Sequence, residues 1–557
     1  MKTLFEKDQN YTPTYFEIVD FYTQITSNQP YCQFTPMGPT DSGFPLHEIV
    51  LSKFGFDPME IKQKNMPVLF INNGIHPGEP CGIDASMLFV RNVLQDQKYM
   101  AILDHMVIVI IPVYNIGGTL MRSSTSRANQ EGPKEYGFRG NAKNYDLNRD
   151  FIKSDATNTQ TFHTIFHKWD PDFFVDTHTS NGADYQYTMT LISSQGDKLG
   201  PIGHIFQDEE ILPYFYKSMK DKNWEMIPYV QSISKGIPDF GIKTFLDYPR
   251  YSSGFGALNH TWSFMPEAHM LKPYKDRVYS TLAFIEVVTE FMVENRQKLV
   301  LTRKLWKNES QKQSIFHLNY KMDETKVDTL LFKGYEASYK PSEISGQSRL
   351  YYDRTKPFEK KIPYYQRYSP TLSVSKPLAY IIPQAYKEVV EKLKSNRIII
   401  EQLQENKAIE VEKYKIKSFK TTKEAYEGHY LHSDIEVESF KVTQTFYKGD
   451  YFISTDQEGV RFIIETLEPQ APDSYFSWNF FDAILMEKEY YSAYVFEDLA
   501  VELLKKDDGL RQKFELKKKD DPDFAKDGRL QLDFIYKNSP YYEPHVKVYP
   551  VARVTSK

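Results

Sequence analysis

Cysteine is almost missing from this chain: its 557 residues include only Cys32 and Cys81. A disulfide framework and a metal site built on several thiolates are therefore excluded, although a single bridge between the two stays open. Long apolar runs are missing too. None approaches the roughly 18 residues that a membrane-spanning helix requires. The opening residues, Met1 to Glu6, have no apolar core of the export-signal type. The sequence as it stands therefore reads as cytoplasmic, or as periplasmic or secreted where a signal has been trimmed. Neither charge sign dominates: 69 Lys and Arg face 74 Asp and Glu, a formal net charge of -5. That balance points to neither nucleic acid nor an anionic membrane as partner. There is no internal repeat and no low-complexity tract.

What the chain does have is enough length for two to four domains. With 41% hydrophobic and 26% charged residues it can bury ordinary cores. Tyr15 to Tyr22 reads as a helix, and Val68 to Ile71 as a short buried strand. A helical spacing of Ile83, Met87, Val90 and Leu94 follows. The β-branched run from His105 to Pro112 suits a strand covered on both faces. Thr157 to Trp169 reads as a helix, Phe173 to Asp176 as a strand, and Thr261 to Met265 as another ending at Pro266-Glu267. Lys275 to Leu299 forms a long amphipathic pattern. Strands alternating with helices predict an α/β domain over residues 1–305, with a mixed twisted sheet flanked by helices. Thr302 to Ser314 is polar and marks a boundary. Residues 310–557 then read as a β-rich accessory portion of one or two subdomains. It has a helix at Pro383–Leu393, strands around Ile409–Val411 and Ile435–Val437, a helix at Tyr491–Leu504 and a last strand at Val546–Val548. Lys517 to Asp521 reads as a solvated loop.

The chain is organised around Asn73-Gly74-Ile75-His76-Pro77-Gly78-Glu79-Pro80, a turn between the first strand and its helix. Gly78 is expected to let the backbone fold there, and Pro80 suits a helix start. His76 and Glu79 can aim an imidazole and a carboxylate at one zinc ion. Alone, so short a pattern is usually a hydrated turn. It gains weight from His178 in Asp176-Thr177-His178, a strand-end imidazole that completes a three-ligand zinc set, with Asp176 available to support it. Glu267 at the end of a later strand offers a base for an activated water. Arg139 to Phe151, RGNAKNYDLNRDF, packs two arginines and several amides into one loop, apt for holding a carboxylate or an oxyanion. In open α/β sheets such groups gather beyond the carboxyl ends of strands.

HPGE, RGNAKNYDLNRDF, DTH and a late strand-end Glu, in that order, resemble the zinc metallocarboxypeptidases related to carboxypeptidase A. The resemblance covers about residues 15 to 300. It implies that His76, Glu79 and His178 bind Zn2+, and that Glu267 is the general base and acid. It further implies that Arg139 stabilises the oxyanion while Asn148 and Arg149 hold the terminal carboxylate of a peptide substrate. The family's substrate-loop tyrosine falls to Tyr248 or Tyr251, with Tyr251 favoured. Asp239, Asp247 and Arg250 occupy the specificity region with opposite charges. The stretches PEAHMLKPY (266–274) and LEPQAPDS (467–474) are nearer to large bacterial members of the Bacteroidetes type. The implied reaction is hydrolysis of an amide bond next to a free C-terminal carboxylate, in which zinc and Glu267 activate a water. The alternatives are a zinc amidohydrolase on the same scaffold, acting on N-acyl amino acids or peptidoglycan stem peptides, and an inactive peptide- or glycan-binding relative.

Overall fold

The apolar runs at Val68 and Phe173 lie side by side in the middle of a nine-stranded sheet. The structure is a computed structural model that describes every residue except 235 and 557. The strands are β1 (Cys32–Gly38), β2 (Leu46–Leu51), β3 (Val68–Asn72), β4 (Val107–Ile111), β5 (Phe173–Asp176), β6 (His178–Ser180), β7 (Met189–Ser193), β8 (Met226–Pro228) and β9 (Trp262–His269). Their order is β1-β2-β4-β3-β5-β9-β7-β8, with β6 also paired to β9. The centre is parallel (β4-β3-β5-β9), while β1-β2, β2-β4 and β7-β9 run antiparallel. The sheet is mixed, as expected.

Alternation along the central strands sends successive side chains into two cores. Leu69, Ile71, Ile108, Ile110, Phe173 and Val175 meet the helices Cys81–Gln95 and Tyr274–Glu294. Val68, Phe70, Val107, Val109 and Phe174 meet Phe162, Ile165 and Phe166 of the helix Thr157–Trp169. This second core continues into Tyr380, Val390, Trp478 and Tyr549 of the C-terminal portion. A two-residue strand, Ile242–Lys243, pairs with the long strand Ser348–Tyr365. Both cysteines are buried and free. Among the described residues no helix is long and apolar enough to cross a membrane.

Several local readings change. The expected helix through Leu299 is two helices, Tyr274–Glu294 and Arg296–Lys312, meeting at Asn295. The polar stretch from Thr302 therefore remains helical up to Lys312. The C-terminal portion is β-rich, with a six-stranded sheet, but it also carries helices Ala493–Lys506, Asp508–Asp520, Pro522–Lys526 and Gly528–Lys537. These share a core of Phe496, Leu510, Phe514, Phe524 and Ile535. The charged run at Lys517 thus ends a helix instead of forming a loop. Val546–Val548 is not a strand; Lys547 takes φ 61 there, and the last strand is Ala552–Val554.

One buried acid ties folding to pH. Asp84, inside the helix Cys81–Gln95, accepts hydrogen bonds from Thr12 Oγ1 (2.7 Å) and Tyr274 Oη, while its other oxygen is buried without a partner. Burial raises its carboxyl to about 7. A raised folded-state value stabilises the fold fully below the unfolded carboxyl's range and loses that contribution as pH climbs through the folded value. The window therefore runs from about pH 4 to about pH 7, with an upper bound of about 4 kcal/mol. Asp84→Asn should flatten it. Denaturant titrations at pH 5 and pH 8 should show the variant gaining on the parent at pH 8, and parallel pH curves would remove Asp84 as the cause.

Candidate active site

β3 ends at Asn72, and the chain turns sharply before the next helix. Gly74, with φ 63, is the residue whose backbone needs glycine. Gly78 does something else. A Cβ there would stand 2.8 Å from Arg127 Cδ and 3.2 Å from the Gly137 carbonyl oxygen, so its missing side chain makes room for Arg127. The turn buries His76 and Glu79 together, and His178 at the start of β6 faces them. His76 Nδ1 lies 3.5 Å from Glu79 Oε1, and His178 Nδ1 lies 3.2 Å from Glu79 Oε2. Glu267 is inside β9 rather than beyond its end, because β9 extends past β5 to pair with β6. Glu267 and His178 are direct partners across that pair, so both side chains leave the same face of the sheet.

The two imidazoles are oriented alike. His76 Nε2–H donates to Asp146 Oδ1 and His178 Nε2–H donates to Asp176 Oδ2, each at 2.9 Å. Carboxylates only accept, so each Nδ1 is left facing the shared space. Asp176 is itself fixed by Asn72 Nδ2–H at 3.0 Å. His76 Nδ1 has no partner among the described residues although it is buried. One ligand atom from each of His76, Glu79 and His178 falls within 4.8 Å of the others. Two imidazole nitrogens and a carboxylate oxygen, each backed by a second group, fit a zinc ion with an open position.

Electrostatics separates the two carboxylates. Burial opposes ionisation of Glu79, but Arg127, His76 and His178 hold it well below the usual carboxylate range. It also accepts the Thr179 N–H at 2.8 Å. Burial pushes Glu267 upward, with the charge of Glu79 adding and His178 opposing. Among the described residues the Glu267 carboxylate accepts no hydrogen bond. His178 is raised by Asp176 and Glu79 against the opposing effect of burial. A field that favours a proton on that imidazole favours a cation at the same place.

A cavity of about 530 Å³ opens over these groups. All eight residues singled out from the sequence line it: His76, Glu79, His178, Glu267, Arg139, Asn148, Arg149 and Tyr251. Besides His76, Asp146 organises three of them. Its Oδ2 receives Arg139 Nε–H at 2.9 Å and lies 3.8 Å from Arg149 NH1, and its Oδ1 accepts the Asn148 N–H at 2.9 Å. The Asn148 side chain accepts from Ser252 N–H (2.9 Å), and the Arg149 guanidinium lies 4.5 Å over the Tyr251 ring. Tyr248 instead packs by Arg250, away from the lining. None of the three charged residues of the specificity region lines the cavity. Asp239 pairs with Lys360, Asp247 is buried against Lys198, and Arg250 pairs with Asp473 at 2.8 Å. Ile192, Tyr229, Phe245 and Met265 take the wall instead.

Sequence reasoning missed Arg127, which donates to Glu79 Oε1 (2.5 Å) and to the Thr179 carbonyl (2.9 Å). No spacing marks it, because its loop has no periodicity. Asp146 stood inside the quoted motif without a role.

The profile of the zinc carboxypeptidase family matches residues 19–195. Carboxypeptidase 2 of Trichophyton rubrum is 23% identical over 439 residues, covering 74% of this chain and 73% of its own. Solved structures similar in part include a metallo-carboxypeptidase from Pseudomonas aeruginosa (12% identity, TM-score 0.39, 51% of this chain and 69% of that one). Carboxypeptidase A from Helicoverpa armigera is another (12%, 0.39, 51% and 74%).

Proposed function

The chain carries a zinc carboxypeptidase domain, matched over residues 19–195, and on that premise we propose that it is an exopeptidase cleaving the amide bond next to a free C-terminal carboxylate. The observation that carries this reading is the meeting of eight residues, spread from His76 to Glu267, around one cavity. His76 Nδ1, Glu79 and His178 Nδ1 would hold zinc. Bound there, zinc supplies Lewis acidity, lowering the pKa of water and polarising a carbonyl. Glu267 takes the proton from the attacking water and passes it to the leaving amine. Arg139, fixed by Asp146, faces the developing oxyanion. Arg149 and Asn148 grip the terminal carboxylate, with Tyr251 stacked under the guanidinium. Residues 310–557 form an accessory portion in which Tyr380, Val390, Trp478 and Tyr549 cover the sheet face bearing the helix Thr157–Trp169, while Phe332 and Ile362 pack on Tyr185, Tyr187 and Ile227.

Removing the carboxylate grip should affect binding more than turnover. Arg149→Met is expected to raise KM about 10–100-fold on a peptide with a free C-terminus, with a smaller change in kcat. A KM left at the parental value would take Arg149 out of the carboxylate site. The reaction itself is tested by incubating the zinc-loaded protein with a mixed peptide library. Mass spectrometry should show losses of single C-terminal residues. Cleavage confined to N-acyl amino acids or to stem peptides would replace the carboxypeptidase reading with that of another amidohydrolase.

A further inference from the structure

The C-terminal portion reaches the Asp146 backbone of the catalytic loop through the connection between the long strands Lys407–Thr421 and His432–Phe446. The tip is a two-residue turn, Tyr426-Glu427-Gly428-His429, closed by Tyr426 N–H to His429 O (2.7 Å) and His429 N–H to Tyr426 O (3.1 Å). Both central residues have positive φ, 52 at Glu427 and 84 at Gly428. Such turns favour Asn, Asp or Gly at the first central position, and a glutamate there adopts a backbone conformation it disfavours. Strain of this kind persists where surrounding contacts enforce it.

The contact that the turn makes is specific. Glu427 Oε2 accepts the backbone N–H of Asp146 at 2.7 Å, across 281 residues of sequence. The turn is anchored on both sides. His429 Nε2–H donates to Asp155 Oδ2 at 2.7 Å, Tyr426 stacks on Trp478, and Gly428 lies against the ring of Tyr145. Asp146 in turn fixes His76, Arg139 and the Asn148 backbone.

We propose that Glu427 is a positioning residue by which the C-terminal portion sets the metal and carboxylate sites. It holds the Asp146 backbone, and Asp146 aims His76, Arg139 and the Asn148-Arg149 pair. The C-terminal portion is then a structural part of the active site and not a separable appendage. The inference rests on the zinc site proposed above.

Glu427→Asn separates this role from simple turn-making. Asparagine suits the left-handed backbone, so the turn is kept or stabilised, but its side chain is one methylene too short to reach Asp146. In the full-length protein it should weaken zinc about tenfold in competition with a chromogenic chelator. KM for a free-acid peptide should rise several-fold, while the Tm of the zinc-free protein stays level or increases. Glu427→Gln, whose amide oxygen still accepts the Asp146 N–H, should restore zinc affinity and KM. Parental zinc affinity and KM in Glu427→Asn, or a Gln variant no better than Asn, would overturn the assignment. The zinc arm needs no turnover. A parent protein that binds zinc but cuts no peptide would refute the carboxypeptidase reading and leave Glu427 to be decided by metal affinity alone.

Discussion

Glu267→Gln should lower kcat by about 10²–10⁴ while leaving zinc content and KM close to the parent. The expectation comes from the two acids in one cavity. Glu79 is committed, with Arg127 and the Thr179 N–H donating to its oxygens. Its environment keeps it ionised. Glu267 has the opposite surroundings: it is buried, uncommitted and pushed upward. Two carboxylates driven apart in this way divide the labour, one as a fixed anion and the other as a proton carrier. The β9 strand holds the carrier rigidly opposite His178. Glutamine keeps the shape and the strand pairing and removes only the proton chemistry. Steady-state kinetics on a free-acid peptide reads the effect, and parental turnover would show that Glu267 is not the base.

The second large effect is on the metal. His178→Ala should reduce bound zinc well below one equivalent, because only a two-donor remnant of the ligand set is left. Asp176→Asn should be intermediate, weakening zinc about 10–100-fold by loosening the His178 ring and its tautomer. Thermal melts with and without zinc provide an activity-free readout. Ligand binding to the native state raises Tm, so zinc should stabilise the parent, do so less in Asp176→Asn and not at all in His178→Ala. Zinc content and a zinc-dependent Tm unchanged in His178→Ala would remove that imidazole from the ligand set.

The central sheet and the cluster of His76, Glu79 and His178 proposed to hold zinc were legible in the sequence for the same reason. Val68–Ile71, Val107–Ile111 and residues 173–175 are continuous apolar runs, and a strand buried on both faces can hardly be written otherwise. His76 and His178 come within a few residues of the ends of such runs, so their placement came with the strands. Glu267 was found for a partly mistaken reason: it lies within β9, and the extra length of that strand depends on pairing with β6, a tertiary fact. Arg127 was invisible because its partner Glu79 is 48 residues away and its loop has no pattern. The Glu427–Asp146 contact is more remote still. The helix Asp508–Asp520 was missed because Leu510 and Phe514 are its only buried residues, too narrow a stripe to stand out among its charges.

The most direct measurement pairs two peptides of identical sequence, one ending in a free carboxylate and the other in a C-terminal amide, each incubated with the zinc-loaded protein and followed by mass spectrometry. The account predicts stepwise release of single residues from the free-acid peptide and at least tenfold slower attack on the amide, because Arg149 and Asn148 lose the charge they grip. Equal cleavage of both peptides, or cuts at internal bonds, would contradict it.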